Sequence, residues 1–427
     1  KRQGYETLGV SVKSLLMEGS VWLRSVQLNL AEIPVYSQTL NALAIIKSVK
    51  KNFPNNHPKV NQLQHLFYHS YNNTPFSEAN RMNVLKTSFD DIDQGLVDEV
   101  LEVIPENIKS YRDVIVDFYS HGAETKIMPI EGISLQERTA LSVQNQIEDK
   151  ILNITEDIEL SFEDEELYYK MGTGIISSKI ELNEPDSKDV DTVMTNADDT
   201  TNYLISSEYL RKDIENFFVN TADINSNNLE FINKPKKYNY QKELTLFNNE
   251  WVYKISFEPK EQGIFQGILY IATTNYAILQ LYYEFATGKN TENINLLGIG
   301  HKVNYKKAQV IYEKLDTAYF VKYINAEKQE FYSIDRNFFM VKKEKRFLFD
   351  KDLDKIKFGL DMKFETKNGW ELLVMHRQNL AKEAFELVKE PEKMTIKKEF
   401  VNSMDMWDHG SVIVPNTELK NFRRDNK

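Results

Sequence analysis

The chain has 427 residues, a formal net charge of −11 and no cysteine. The missing thiols exclude disulfides, cysteine metal sites and cysteine nucleophiles. The acidic balance argues against a general nucleic-acid binder, which needs a basic surface to neutralise phosphates. No run of about 18 apolar residues occurs, so no helix is expected to span a membrane.

Hydrophobic residues make up 41% of the chain, and aromatics reach 12%, with 22 Tyr and 24 Phe. Together with the β-branched residues, that usage predicts a sheet-rich protein. The chain opens on "KRQGYETLGVSV", which reads like the middle of a domain. An N-terminal piece, with room for a signal peptide, is expected ahead of Lys1.

In chain order, 7–12 and 20–28 read as short strands. Apolar Leu43, Ile46, Val49 and Phe53 recur at helical spacing, which predicts a helix over 41–53, ended by Pro54. Residues 63–71 and 76–89, split by "NNTP", read as a hairpin. A short helix is expected within 90–109, stopping near Pro105. The stretch 155–169 is strongly acidic, and the polar stretch 183–202, poor in large apolar groups, reads as a long surface loop. Residues 204–218 have a helical pattern. Strands then return at 242–247, 305–314, 318–326, 330–343 and 370–373, with a helix at 382–389.

The segment 251–285 is the most patterned. Trp251, Tyr253, Ile255 and Phe257 alternate with Val252, Lys254, Ser256 and Glu258, as in a strand with one apolar face. A connection over 259–267 precedes a strand at 268–273 and a turn at Thr274-Asn275. Ala277, Leu279, Leu281, Tyr283 and Phe285 then line a third strand. Such a meander leaves one large apolar face, which a helix, a second sheet or a ligand must cover. Tyr253, Ile255, Phe257, Leu279, Leu281 and Tyr283 are the candidate hydrophobic face.

No stretch carries a recognisable catalytic or metal-binding pattern. His65 and His69 lie four apart, but "QLQHLFYHSYNN" alternates as a strand, which separates them by about 13 Å. The Asp residues of 186–199 lack the central Gly of a calcium loop, and Val190 and Val193–Met194 interrupt them. "MGTGIISS" is not a phosphate cradle, and His301 in "LLGIGHKVNY" has no adjacent nucleophile. The lysine-rich run 341–359 alternates in charge sign and reads as a solvated face, with anionic lipid head groups as the sharper alternative. Catalytic, cofactor and metal residues are all expected to be none.

Several stretches, taken together, resemble a family of Bacteroidota envelope proteins. "GYETLGVSV" with "VWLRSVQLNLAEIPVYSQ" is similar to the end of a carboxypeptidase-regulatory-like domain, a small immunoglobulin-like β-sandwich. "ALAIIKSVKKNFPNNHPK" followed by "HLFYHSYNN…FSEANRMNVLKTSF" resembles the helix and strands that follow it. Phe67-Tyr68 and Glu78-Ala79 match the "FYR" and "EA" strands, with His69 in place of the usual basic residue. "WVYKISFEPK" and "GILYIATTNYAI" look like paired strands of a lipoprotein-carrier-type (Lol-like) half-barrel, with Ala272 where an Asp is usual. "WDHGSVIVPNTELKNFRR" resembles the C-terminal tail.

The resemblance implies a mainly β fold with helices (α+β). A partial sandwich over 1–36 precedes the helix and first hairpin of a half-barrel over 37–123. An acidic polar insert follows over 124–202, then a curved antiparallel half-barrel sheet, covered by helices, and the tail over 203–427. It implies a non-enzymatic binding or scaffold component in the periplasm or at the outer membrane. The partner would be an outer-membrane complex of β-barrel or TonB-dependent transporter type. The alternative is a periplasmic carrier of a lipid or lipidated peptide. Because Tyr270, Tyr276, Tyr282, Tyr283 and Phe285 crowd the sheet, the half-barrel is expected to be filled by its own side chains.

Overall fold

Residues 251–285 form three consecutive antiparallel strands, as their alternation predicts. The computed structural model describes residues 41–399 apart from 78, 89–91, 105, 137–166, 174–175, 181–201 and 347–348. The chain divides into two units, 1–41 and 42–427. The expected sandwich over 1–36, the loop expected over 183–202 except Asn202, and the tail beyond 399 lie outside the described residues.

Helix α1 (Ala42–Asn56) is followed by β1 (Gln62–Pro75), β2 (Arg81–Thr87), α2 (Gln94–Val103), β3 (Asn107–His121) and β4 (Glu124–Gln136). Next come β5 (Leu167–Thr173), β6 (Ile176–Ile180), β7 (Asn202–Ser206), α3 (Ser207–Ala222) and the single-turn α4 (Glu230–Asn233). The second half holds β8 (Tyr238–Phe247), β9 (Glu250–Pro259), β10 (Phe265–Ala272), β11 (Ile278–Phe285), β12 (Thr291–Leu296) and β13 (Ile299–Leu315). It ends with β14 (Ala318–Glu344), β15 (Lys351–Asn379), α5 (Lys382–Leu387) and β16 (Lys393–Glu399). The described strands form one curved sheet whose main path runs β7-β16-β4-β3-β1-β15-β14-β13-β11-β10-β9-β8, with β12 paired to β13, β2 to β15, and β5 to β14 and β6. All of these pairings are antiparallel except β16–β4.

Five readings of the sequence need correction. Pro54 does not end α1, because it sits in the last turn, and His57 N still donates to Phe53 O at 2.8 Å. The segments 63–71 and 76–89 are not a hairpin. β1 and β2 run one after the other along the same side of β15, joined by a bridge at Phe76–Phe364. Residues 204–206 belong to β7, and α3 starts only after the Ser206 N-cap, whose side chain accepts from Tyr209 N. The strands expected at 318–326 and 330–343 are one strand of 27 residues, and 370–373 is part of one of 29. Polar residues interrupt the apolar pattern there, but the ladder hydrogen bonds continue through them. Finally, 124–136 is not insert: Gly122, at φ +63°, turns β3 back into β4, which pairs along its length.

Three helices lie on one face of the sheet. α1 buries Ile45, Ile46 and Val49, and its end is tied down by His57. The His57 Nδ1–H donates to Tyr319 O at 3.1 Å, while Nε2 accepts from Ile278 N at 3.2 Å. α3 buries Leu210, Ile214, Phe217 and Thr221, one stripe at helical spacing. α4 is anchored by Glu230, a buried carboxylate that accepts from Tyr238 Oη, from Lys237 Nζ at 3.1 Å and from Ile264 N at 3.1 Å. A second apolar cluster, of Phe67, Tyr111, Ile115, Ile133 and Leu135, occupies the opposite face of β1, β3 and β4.

Candidate functional site

The helix-bearing face is organised in rows that cross the strands. One row runs Ile255–Leu269–Leu281–Val310–Ile324–Leu372–Tyr68–Val114. It is apolar apart from the Tyr68 hydroxyl, and all of it is buried. The adjacent row runs Phe257–Gly267–Tyr283–Ala308–Ala326–Trp370–Ser70–Arg112–Ser134. It begins in aromatic core and ends in polar side chains.

At the aromatic end, Phe231 of α4 fills the space above the meander. Its ring stacks on Phe257 with centroids 4.2 Å apart and lies 5.4 Å from Tyr283 and 6.3 Å from Phe265. Gly267 makes room for this arrangement, since a β-carbon there would strike the Tyr282 carbonyl and crowd the Phe257 ring. Of the candidate hydrophobic face, Ile255, Phe257, Leu281 and Tyr283 are buried in this core. Tyr253 is only half-buried, at the rim, with Lys242 Nζ 5.9 Å from its ring. Leu279 does not continue the alternation. A register shift places Ile271 opposite Ile278 and Tyr270 opposite Gln280, so Leu279 falls in a bulge, and both Ile278 and Leu279 are buried.

At the other end of the row, α3 and the sheet leave a cleft of about 370 Å³. Its floor is formed by Ser70 and Asn72 of β1, Ser110 and Arg112 of β3, Ser134 of β4, and Asn368 and Trp370 of β15. Tyr209 and Asp213 of α3, one helical turn apart, form its wall. Arg112 Nη2 donates to Asp213 Oδ2 at 3.2 Å, and Tyr68 Oη donates to the same oxygen at 3.0 Å. Burial holds the Asp213 carboxyl above its ordinary range, although Arg112 and Tyr68 both oppose that shift. Burial, and then the neighbouring Asp213 charge, push the Tyr68 hydroxyl well up. Asn72 Nδ2 donates to Asn368 Oδ1 at 2.6 Å, and Asn368 Nδ2 donates to Glu330 Oε2 at 3.3 Å.

The histidines singled out in the sequence each lie beside a carboxylate. His65 Nδ1 lies 2.8 Å from Asp117 Oδ1, and His69 pairs with Asp113; both are cross-strand neighbours on β3. His301 contacts Glu330 at 3.1 Å and Glu292 at 3.6 Å. Among the described residues, no group of three or more His, Asp or Glu side chains is placed to hold a metal. No described helix is long and apolar enough to cross a membrane.

The cleft residues were not picked out in the sequence, although a signal for them exists. Inward-facing positions change from apolar to polar along central strands: Leu66 and Tyr68 give way to Ser70 and Asn72, and Val116 and Val114 to Arg112 and Ser110. A buried strand that turns polar on its inner side marks a place where the core stops.

No family model matches the chain, and no curated protein matches it. Among solved structures it is similar to a domain from Vibrio parahaemolyticus provisionally described as an outer membrane lipoprotein-sorting protein domain. Identity is 9%, with 80% of this chain and 95% of that chain covered, at a TM-score of 0.20. Superposition at that score establishes no common fold.

Proposed function

We propose that this chain is a non-enzymatic binding component of the cell envelope, acting through its polar cleft and outer surfaces rather than through a hydrophobic tunnel. The observation that carries this reading is the Phe231 ring, which occupies the space above Phe257 and Tyr283 where an acyl chain would lie. Seating a lipid tail at that place would require expelling an aromatic side chain. The cleft is instead polar, open to solvent and within the size range of small-ligand sites, roughly 300–1,000 Å³. The envelope setting rests on the resemblance to Bacteroidota envelope proteins. An outer-membrane complex of β-barrel or TonB-dependent transporter type is the partner that resemblance implies.

Lipid extraction from protein purified without detergent tests the reading. An empty protein that co-purifies with an outer-membrane β-barrel from native membranes is the expected result. A stoichiometric acyl-chain ligand would replace this reading with that of a periplasmic lipid or lipopeptide carrier.

A further inference from the structure

We propose that the cleft between α3 and the β1–β3–β15 floor binds a neutral saccharide of one or two rings, an inference that rests on the cleft being the binding site of a chain whose apolar interior is filled. Charge decides first. Arg112 is compensated by Asp213 at 3.2 Å, and the remaining floor groups are hydroxyls, amides and aromatic rings. The next cations along the floor are also engaged, Lys328 by Glu330 at 2.8 Å and Lys306 by Asn228 at 2.9 Å. An anionic ligand would have to displace Asp213 or accept its repulsion.

Hydrogen-bonding capacity decides next. A sugar hydroxyl both donates and accepts. The cleft offers a carboxylate that only accepts, a guanidinium that only donates, and Ser70, Ser110 and Asn72, which do both. An apolar ligand would cover the Ser70 and Ser110 hydroxyls without pairing them. Arg112 Nε is already buried without a hydrogen-bond partner among the described residues, so its donors are not exhausted by Asp213. Trp370 supplies the third element, an aromatic surface beside the polar groups, against which the C–H face of a pyranose can lie. Tyr209, 55% exposed, stands at the rim with the Arg112 guanidinium 6.0 Å from its ring.

The test is saturation-transfer NMR and titration on the full chain with glucose, galactose, mannose, N-acetylglucosamine, maltose and lactose, alongside inorganic phosphate and citrate. At least one sugar should bind with a dissociation constant of about 1 mM or tighter. Trp370→Ala and Ser70→Ala should each weaken that binding by about tenfold or more, which corresponds to about 1.4 kcal/mol. Asp213→Asn should weaken the sugar and, by freeing the Arg112 charge, create phosphate binding. Melting curves identify any variant that fails to fold, and Ser70→Ala, which removes one oxygen, keeps the test open if the others do. Phosphate or citrate binding more tightly than every sugar to the unaltered protein would overturn the proposal. So would sugar binding indifferent to both Trp370→Ala and Ser70→Ala, or no saccharide signal up to about 10 mM. None of these results bears on whether a lipid occupies the interior, which the extraction experiment reads separately.

Discussion

The two ends of a single cross-strand row carry opposite chemistry. Phe257, Gly267 and Tyr283 sit under the Phe231 ring, among the further rings of Phe265 and Tyr238. Some six strands away the same row presents Ser70, Arg112 and Ser134 to a cleft. Backbone pairing is continuous between them, so the sheet itself does not distinguish the ends. The helices above do: α4 presses an aromatic ring into the sheet, whereas α3 turns Tyr209 and Asp213 toward it. One end is thus closed by an aromatic ring, and the other keeps an open polar cleft.

The largest expected effect tests the aromatic end. Phe257→Ala removes a ring that is 2% exposed and should cost about 3–5 kcal/mol in urea unfolding, as for other buried Phe truncations. A loss below about 1 kcal/mol would mean that this end is loosely filled.

His57, which fastens α1 over the same half of the sheet, should make stability fall in acid. Burial lowers its pKa from 6.5 to about 4, against a smaller opposing effect of the Tyr319 carbonyl. The unfolded chain takes up the proton first, so stability is full above pH 6.5 and declines toward pH 4, by up to about 3 kcal/mol. His69, paired with Asp113 between β1 and β3, should act with the opposite sign. Burial works to lower its pKa, but Asp113 and then Glu371 raise it overall above 6.5. Its contribution is full below pH 6.5 and is lost as pH rises through the elevated value. Stability measured against pH for His57→Gln and His69→Gln separates the two. If both variants change the slope in the same direction, the assignment of opposite roles fails.

Smaller effects belong to the polar end. Asp213→Ala breaks a partly exposed ion pair and a Tyr68 hydrogen bond, and should cost about 1–2 kcal/mol. Ser70→Ala should change stability by no more than about 0.5 kcal/mol. A large loss on chemical denaturation of Ser70→Ala would show that the cleft floor is structural and erase the contrast between the ends.

The strand character of 251–285 was legible because alternation is local: each apolar residue identifies its own face from its neighbours two positions away. So were α1, α2 and the body of α3, whose apolar stripes recur within a few turns. The false hairpin at 63–89 shows the limit. Turn residues mark where a strand breaks, but β1 and β2 each find the same distant strand, β15, rather than one another. The Leu279 bulge is of the same kind, since only the pairing with β10 shows which residue is extra.

By itself the sequence determined the strand-rich composition, the apolar meander and the absence of thiol chemistry, because these are properties of residue type and short-range spacing. Of the aromatic side chains expected to fill the interior, Tyr283 and Phe285 are buried, whereas Tyr270, Tyr276 and Tyr282 are only half-buried, and the ring above Phe257 comes from Phe231, which no local pattern singled out. Only the tertiary structure decided that Ser70, Arg112, Asp213 and Trp370 share one cleft. They come from three strands and a helix as far apart in the chain as residues 70 and 370, and long-range register, which no local pattern encodes, brings them to the same row.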